Sequence, residues 1–316
     1  MFVHPNLDRS RCISADLHQV VRADVSDRVR ARVVHRSLST EKAPWELFDR
    51  AAHAQSAPAR HVGHDPRWSA VVKLARTWDQ VRAARSPNNK ATFQGFVTDF
   101  IVPEPGDRPR PQAFLVEQNP NWILPTHFHL QHQFQVVTAG AGTLGRRSVE
   151  TLSIHYASPQ SGYGPLTAGP EGISYLTLRV VSDEGAWYLP NSRERMQRGL
   201  KKHQEHASPK TLVSDVAIRE LHAPTVDVLI APRENGLAAY LVRMPPDQVI
   251  PAPACDRNGG RFYVVTKGSL VVGDTNLPGL TTVFVSPDEI LDIRSGPAGI
   301  EALVTQFPEA ARGVER

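Results

Sequence analysis

Residues 125–140 read PTHFHLQHQFQVVTAG, a run in which imidazole and amide side chains recur at every second position. Side chains alternate between the two faces of an extended strand, so His127, His129 and Gln133 share one face while Phe134 points to the other. Two imidazoles separated by one residue, with a carboxamide four positions further on, predict one wall of a metal or ligand site inside a β-barrel.

This run resembles the first motif of the cupin superfamily: His-x-His, three residues, a polar ligand, then a short apolar strand that ends in glycine. The resemblance implies an all-β fold of jelly-roll-type (RmlC-like) barrels. Such barrels commonly hold a divalent metal with two His and a Glu from this motif and a third His from a later one. Here Gln133 stands at the Glu position, and the later motif matches residues 154–163, with Tyr163 at the position of the third His.

The resemblance therefore implies a metal site of His127, His129, Gln133 and Tyr163, with Fe, Mn, Ni or Zn as the divalent cofactor. Gln133 can supply a neutral carbonyl oxygen, and Tyr163 a phenol, or a phenolate if a dication lowers its pKa. We take Gln133 and Tyr163 as the candidate catalytic residues. The alternative is a barrel that has lost its metal. Its polar wall would then bind a small molecule or supply hydrogen bonds within the core.

An internal repeat covers most of the chain. Three segments recur at an offset of 127 or 128 residues: 136–140 as 264–268, 158–159 as 286–287, and 169–173 as 296–300. A constant offset over three spaced matches predicts two copies of one supersecondary unit. We therefore expect two tandem cupin barrels, at residues 92–210 and 211–310, behind an N-terminal extension of residues 1–91 that is partly helical or disordered.

The second copy lacks the ligand set. Depending on the anchor, the positions of His127 and His129 fall on Cys255 and Arg257 or on Pro253 and Cys255, that of Gln133 on Arg261, and that of Tyr163 on Leu291. Arginine repels a cation. We interpret the second barrel as a structural copy that packs against the first and in a homodimer. An anion pocket lined by Arg257 and Arg261 is the alternative.

Other polar residues receive weaker assignments. His132 has the opposite strand parity and is expected to face outward, and His155 is expected behind the ligands or at the surface. Glu117 and Arg179 are candidate barrel-lining charges that we interpret as structural or surface groups. Apolar spacing predicts an amphipathic helix over residues 68–84, and the segment 187–208 is expected to contain a helix.

Composition narrows the class of protein. No apolar run is long enough to span a bilayer, and no secretory signal is evident, so a cytoplasmic protein is expected. The two cysteines, Cys12 and Cys255, lie far apart and fit a reducing compartment. Residues 1–90 carry 16 Lys and Arg against 9 Asp and Glu, but no nucleic-acid motif accompanies this basic front, which we interpret as solvated.

Two functions remain open at this level, because the cupin fold hosts many chemistries. The first is a metal-dependent enzyme, with a dioxygenase acting on a small aromatic or β-dicarbonyl compound as its most specific form. The second is a non-catalytic small-molecule-binding or structural protein, which the replaced ligands favour. The partner in either case is a small molecule, with no role for nucleic acid or membrane.

Overall fold

The structure is a computed structural model that describes residues 73–103, 111–255 and 257–312 of the 316-residue chain. The expectation for the N-terminal extension before residue 73 lies outside these ranges. The strands are β1 (Lys73–Thr77), β2 (Ser86–Lys90), β3 (Phe93–Ile101), β4 (Gln112–Gln118), β5 (Ile123–Leu124), β6 (His127–Phe128), β7 (Gln133–Leu144), β8 (Arg147–Glu150), β9 (Ile154–Ala157), β10 (Leu166–Arg179), β11 (Trp187–Tyr188), β12 (Gln204–Ala207), β13 (Thr225–Ile230), β14 (Ala238–Met244), β15 (Val249–Ile250), β16 (Arg261–Val272), β17 (Thr275–Pro278), β18 (Thr281–Val285) and β19 (Ile293–Gln306). The helices are α1 (Trp78–Val81) and α2 (Asp215–Arg219), with 3₁₀ turns at Arg82–Ala84, Arg193–Arg195 and Glu309–Arg312.

The strands form two large antiparallel sheets. The first has the order β12-β9-β7-β10-β4-β3-β2, with β5 on β10 and β8 on β7. The second has the order β1-β18-β16-β19-β14-β13, with β15 on β19 and β17 on β16. We call them the first and second jelly rolls. The all-β jelly-roll class is confirmed, although the sheets fold over as open sandwiches and do not close into complete barrels.

The repeat is confirmed in the strand pattern. Strands β7 and β16 have 12 residues each, and β10 and β19 have 14 each. The repeated glycines have a conformational cause: Gly140 and Gly268 adopt φ of 74° and 63°. A Cβ added at Gly140 would lie 2.3 Å from the carbonyl oxygen of Gly172, and one at Gly268 would lie 2.0 Å from that of Gly299. Both copies thus require glycine where two backbones approach closely.

The two jelly rolls share a hydrophobic core. Phe134 on β7 and Phe262 on β16 belong to one buried cluster, and both rings contact Phe307, at centroid distances of 5.0 and 5.9 Å. Residues of the opposite parity, such as Val137 and Tyr263, enter the separate interior of each jelly roll. Because side chains alternate along a strand, each sheet contributes one face to the shared core and the other to the interior of its own jelly roll. The second jelly roll packs on the first, as expected.

The helix predicted over residues 68–84 is wrong for the described part. Lys73–Thr77 is a strand that pairs with β18, and the helix that follows has only four residues. Leu74 packs on the shared core and Ala75 on the core of the second jelly roll, so both faces of this strand are covered. Apolar contacts on both faces leave a short strand without the apolar–polar alternation that distinguishes it from a helix.

The connection at residues 187–208 also differs from expectation. It contains the two short strands β11 and β12 and one 3₁₀ turn at Arg193–Arg195. Strand β12 pairs with β9 and so extends the first sheet. None of the helices in the described residues has the length and apolar character needed to cross a membrane.

A candidate ligand site in the first jelly roll

The sequence had indicated one continuous strand through the His-x-His segment and β7. The structure divides this stretch into two strands. Its first residues form β6, and the chain bends at residues 129–132 before β7 begins at Gln133. His127 forms a β-bridge with Tyr163, through N–O distances of 3.1 and 3.0 Å. The carboxylate of Asp183 accepts hydrogen bonds from the backbone N–H groups of Leu130 and Gln131, at 2.7 and 2.9 Å, and so fixes the bend.

The four residues that the resemblance assigns as ligands do converge. The Pro125 carbonyl lies 2.8 Å from Nδ1 of His127, and because a carbonyl only accepts, the proton is on Nδ1. Nε2 of His127 then accepts from the Tyr163 hydroxyl at 3.0 Å, and Nε2 of Gln133 donates to the same hydroxyl oxygen. His129 lies beside His127, with ring centroids 5.3 Å apart.

A guanidinium group completes this network. Arg179, at the end of β10, is only 2% exposed. Its Nη2 donates to Oε1 of Gln133 at 2.9 Å and lies 3.1 and 3.3 Å from the two ring nitrogens of His129. Its Nη1 donates to Oε1 of Gln112 at 2.7 Å. Arg179 thus lines the site directly, where the sequence had favoured a structural or surface role.

Burial dominates the electrostatics of the site. Desolvation, with the neighbouring charges of His129 and Arg179, lowers the pKa of His127 to about 3, so this imidazole is neutral at physiological pH. Burial also lowers the pKa of His129, against the opposing effect of Asp183. The Tyr163 pKa is raised by burial, which keeps its hydroxyl protonated and able to donate to His127.

These residues do not fit a divalent metal as they stand. A dication placed between His129 and Gln133 would meet the positive guanidinium that already bonds to both. The carboxylate that would offset a metal charge is replaced by the neutral Gln133, and the lone pair of His127 is taken by Tyr163. Within the described ranges no group of three His, Cys, Asp or Glu residues is placed to hold an ion.

A cavity of about 360 Å³ opens onto this network. His127, His129 and Arg179 contribute to its lining. Its other walls are mixed. Aromatic and apolar side chains come from Phe93, Val97, Phe114, Val116, Leu124, Tyr175 and Tyr188, and polar ones include Asn88, Thr92, Gln112, Gln135 and Thr177. Tyr163 does not line this cavity: it lies behind His127 and borders a separate depression with Arg147 and His206. Its hydroxyl is therefore screened from a ligand in the main cavity.

Two polar groups at the site escaped the sequence analysis. Asp183 accepts three backbone hydrogen bonds, the third from Gly185 at 2.9 Å, and its Oδ1 lies 3.6 Å from Nδ1 of His129. Burial alone would raise its pKa, but these contacts lower it to about 2. Gln112, at the start of β4, binds Arg179 from the other side. No sequence pattern distinguished Asp183 from an ordinary loop aspartate.

The remaining assignments can now be compared with the structure. His132 points away from the cavity and bonds to the Tyr156 hydroxyl at 2.6 Å, as its parity predicted. His155 is buried behind Tyr163, with ring centroids 4.6 Å apart. Glu117 is a half-buried partner of Arg85 in a salt bridge of 2.7 Å, which confirms its structural role.

Comparison with known proteins supports the fold alone. Neither a protein-family model nor a curated protein matches the sequence. Among solved structures, Escherichia coli protein YlbA is 13% identical over 78% of this chain and 93% of that one, with a TM-score of 0.50. The chain has a bicupin fold. Two further structures are similar. A putative dioxygenase from Nostoc punctiforme is 13% identical over 78% of this chain and 85% of that one, with a TM-score of 0.49. The E. coli pirin YhhW in complex with nickel is 11% identical over 75% of this chain and 99% of that one, with a TM-score of 0.47.

The second half of the bicupin repeats the arginine–glutamine pair with the residues exchanged. Arg261 occupies the position of Gln133, Gln306 occupies that of Arg179, and the two bond through Nε and Oε1 at 2.8 Å. Arg257 is exposed while Arg261 is buried, so they do not line one pocket. Leu291 is buried in the apolar core of the second jelly roll, which favours the packed interior over an anion site.

Proposed function

We propose that the first jelly roll binds a small organic molecule in the 360 Å³ cavity and does so without a divalent metal. The observation that carries this proposal is the guanidinium of Arg179, which bonds to Gln133 and His129 in the middle of the cupin ligand positions. A fixed protein cation there supplies positive charge in place of a metal ion.

The cavity has the character of a small-molecule site. Ligand cavities typically measure about 300–1,000 Å³ and combine apolar walls with a few converging polar groups. Here Phe93, Phe114 and Tyr188 supply aromatic surface, while His129 and Arg179 supply polar atoms. The corresponding interior of the second jelly roll is filled by its own apolar side chains. The asymmetry between the two copies favours binding in the first.

A substitution at the rim tests this proposal. Ala186 lines the cavity but is only half-buried, so Ala186→Trp should fill the opening without disturbing the core. A metabolite panel should raise the melting temperature of the wild-type protein, because a ligand at 100 times its Kd adds about 2.7 kcal/mol of stability. We expect Ala186→Trp to lose that shift. The exposed control Ala83→Trp should keep it, and equal shifts in both variants would place binding elsewhere.

A metal-dependent cupin enzyme is the second candidate, with a dioxygenase on a small aromatic or β-dicarbonyl substrate as its specific form. It is favoured by the convergence of four ligand positions and by the Pro125 carbonyl, which orients His127 as an outer partner orients a metal-binding imidazole. Metal analysis after growth with Fe, Mn, Ni and Zn separates the candidates. One bound equivalent in the wild type that is lost in His127→Ala/His129→Ala would overturn metal-free binding and favour the second candidate.

A further inference from the structure

We infer that the cavity selects ligands that carry a carboxylate, and that Arg179 is the group that recognises it. This inference rests on the proposed function and adds the chemical class of the ligand. It follows from the charge balance around the buried guanidinium, from its unused donor and from the placement of the other charged groups that line the cavity.

Arg179 is buried without a carboxylate in salt-bridge contact among the described residues. Its hydrogen-bond partners are the amides of Gln112 and Gln133 and the imidazole of His129, and no carboxylate of the described residues forms a salt bridge with it. Burial lowers the pKa of Arg179, and the Asp183 carboxylate opposes this shift from a longer distance than a salt bridge. Arg243, another buried arginine, is balanced inside the protein by Glu301 at 2.8 Å. A buried charge without a contacting partner is costly. An anion that enters the cavity would give Arg179 the direct ion pair that Arg243 already has with Glu301.

The guanidinium also has a donor to spare. A guanidinium has five N–H groups. Those of Arg179 bond to Gln112, Gln133 and His129, and its Nε–H has no partner among the described residues. Buried donors in native proteins almost always have a partner. A carboxylate oxygen can accept from this remaining donor, and a charge-assisted bond of this kind is about twice as strong as a neutral one.

The acidic residues at the cavity do not cancel this preference. Asp99 and Glu184 are exposed at the rim, where solvent screens them, and the exposed Lys90 lies there with opposite charge. Asp183 is deeper and attracts Arg179 at longer range, but its carboxylate is already bound to three backbone N–H groups and makes no salt bridge with Arg179. Arg179 is therefore the cationic group at the inner end of the cavity.

The walls indicate the rest of the ligand. The ring of Phe114 lies under Arg179, with its centroid 5.4 Å from the guanidinium carbon, and Phe93 and Tyr188 add aromatic surface. A carboxylate on a planar ring fits the aromatic part of these walls.

The test uses benzoate, benzamide and benzylamine, which share one ring and differ in charge, together with the acid and amide forms of every panel compound that shifts the melting temperature. Binding to the full chain is measured by calorimetry. We expect the wild type to prefer each acid over its amide by about tenfold or more. Arg179→Gln should abolish the preference and Arg179→Lys should keep part of it. The matched control Arg261→Gln changes the exchanged pair of the second jelly roll and should leave the preference intact.

The outcomes separate the two proposals. If amides bind as tightly as acids, if benzylamine binds best, or if folded Arg179→Gln keeps the acid preference, the carboxylate inference is overturned while cavity binding stands. If no compound of the panel or the benzoate series binds, the proposed function fails and the inference fails with it. Arg179→Lys keeps the test decisive if Arg179→Gln does not fold.

Discussion

Replacing Gln133 by Glu and Arg179 by Leu together is expected to give the first jelly roll about one equivalent of bound divalent metal, whereas the proposed function predicts none in the wild type. The double variant restores a carboxylate beside His127 and His129 and removes the guanidinium that lies among them. The repulsion removed is large: a dication about 4 Å from a unit charge is disfavoured by roughly 8 kcal/mol at an effective dielectric constant of 20. Plasma mass spectrometry after dialysis against Ni²⁺ or Mn²⁺ measures the gain.

Two controls show which change matters. Gln133→Glu alone should bind no metal, because the new carboxylate pairs with Arg179. Arg261→Leu should also bind none, because the second jelly roll has no imidazole pair at the corresponding positions. Stoichiometric metal in the wild type, or its absence from a folded double variant, would refute the idea that Arg179 stands in for the ion.

Glu301→Ala is expected to destabilise the protein by about 3–5 kcal/mol, because it leaves a buried charge without its partner. The Glu301 side chain is 0% exposed and accepts hydrogen bonds from Arg243 and Lys267, each at 2.8 Å, and from Thr266 at 3.0 Å. Removing this carboxylate leaves the Arg243 side chain, 7% exposed, without its buried counterion. Urea denaturation followed by circular dichroism measures the loss.

The matched control changes the other acid on the same arginine. Asp227 lies 3.2 Å from Arg243, but its side chain is 55% exposed, so Asp227→Ala should cost no more than about 1 kcal/mol. Similar losses in the two variants would mean that burial does not set the strength of this network. The comparison keeps the guanidinium constant and varies only the surroundings of its partner.

Features that depend on local geometry could be predicted from the sequence. Strand parity predicted that Gln133 and Phe134 point to opposite faces of β7, and the repeat identified both copies of the glycine turn. Each of these conclusions follows from a two-residue period or from a conformation that only glycine adopts readily, so a short stretch of sequence is sufficient.

Features that depend on tertiary contacts could not be predicted in the same way. Strand β1 looks helical because both its faces are covered, and only its pairing with β18 makes it a strand. Arg179 lies 46 positions from Gln133, and its role depends on where a long, flexible side chain ends. One signal was present in the sequence: the repeats exchange Gln133 and Arg179 for Arg261 and Gln306, which indicates a pair that is kept while its members swap places.

Strand β1 also constrains the order in which the protein can fold during synthesis. Its partner β18 emerges from the ribosome roughly 200 residues later, whereas β2, a few residues further on, pairs at once with β3. At a translation rate of about 5–20 residues per second, Lys73–Thr77 waits about 10–40 s while the first jelly roll assembles beside it. Of the described strands, the nascent chain therefore completes the second sheet with the one that it synthesises first. While β1 is unpaired, a chaperone or a second nascent chain would compete for pairing with it.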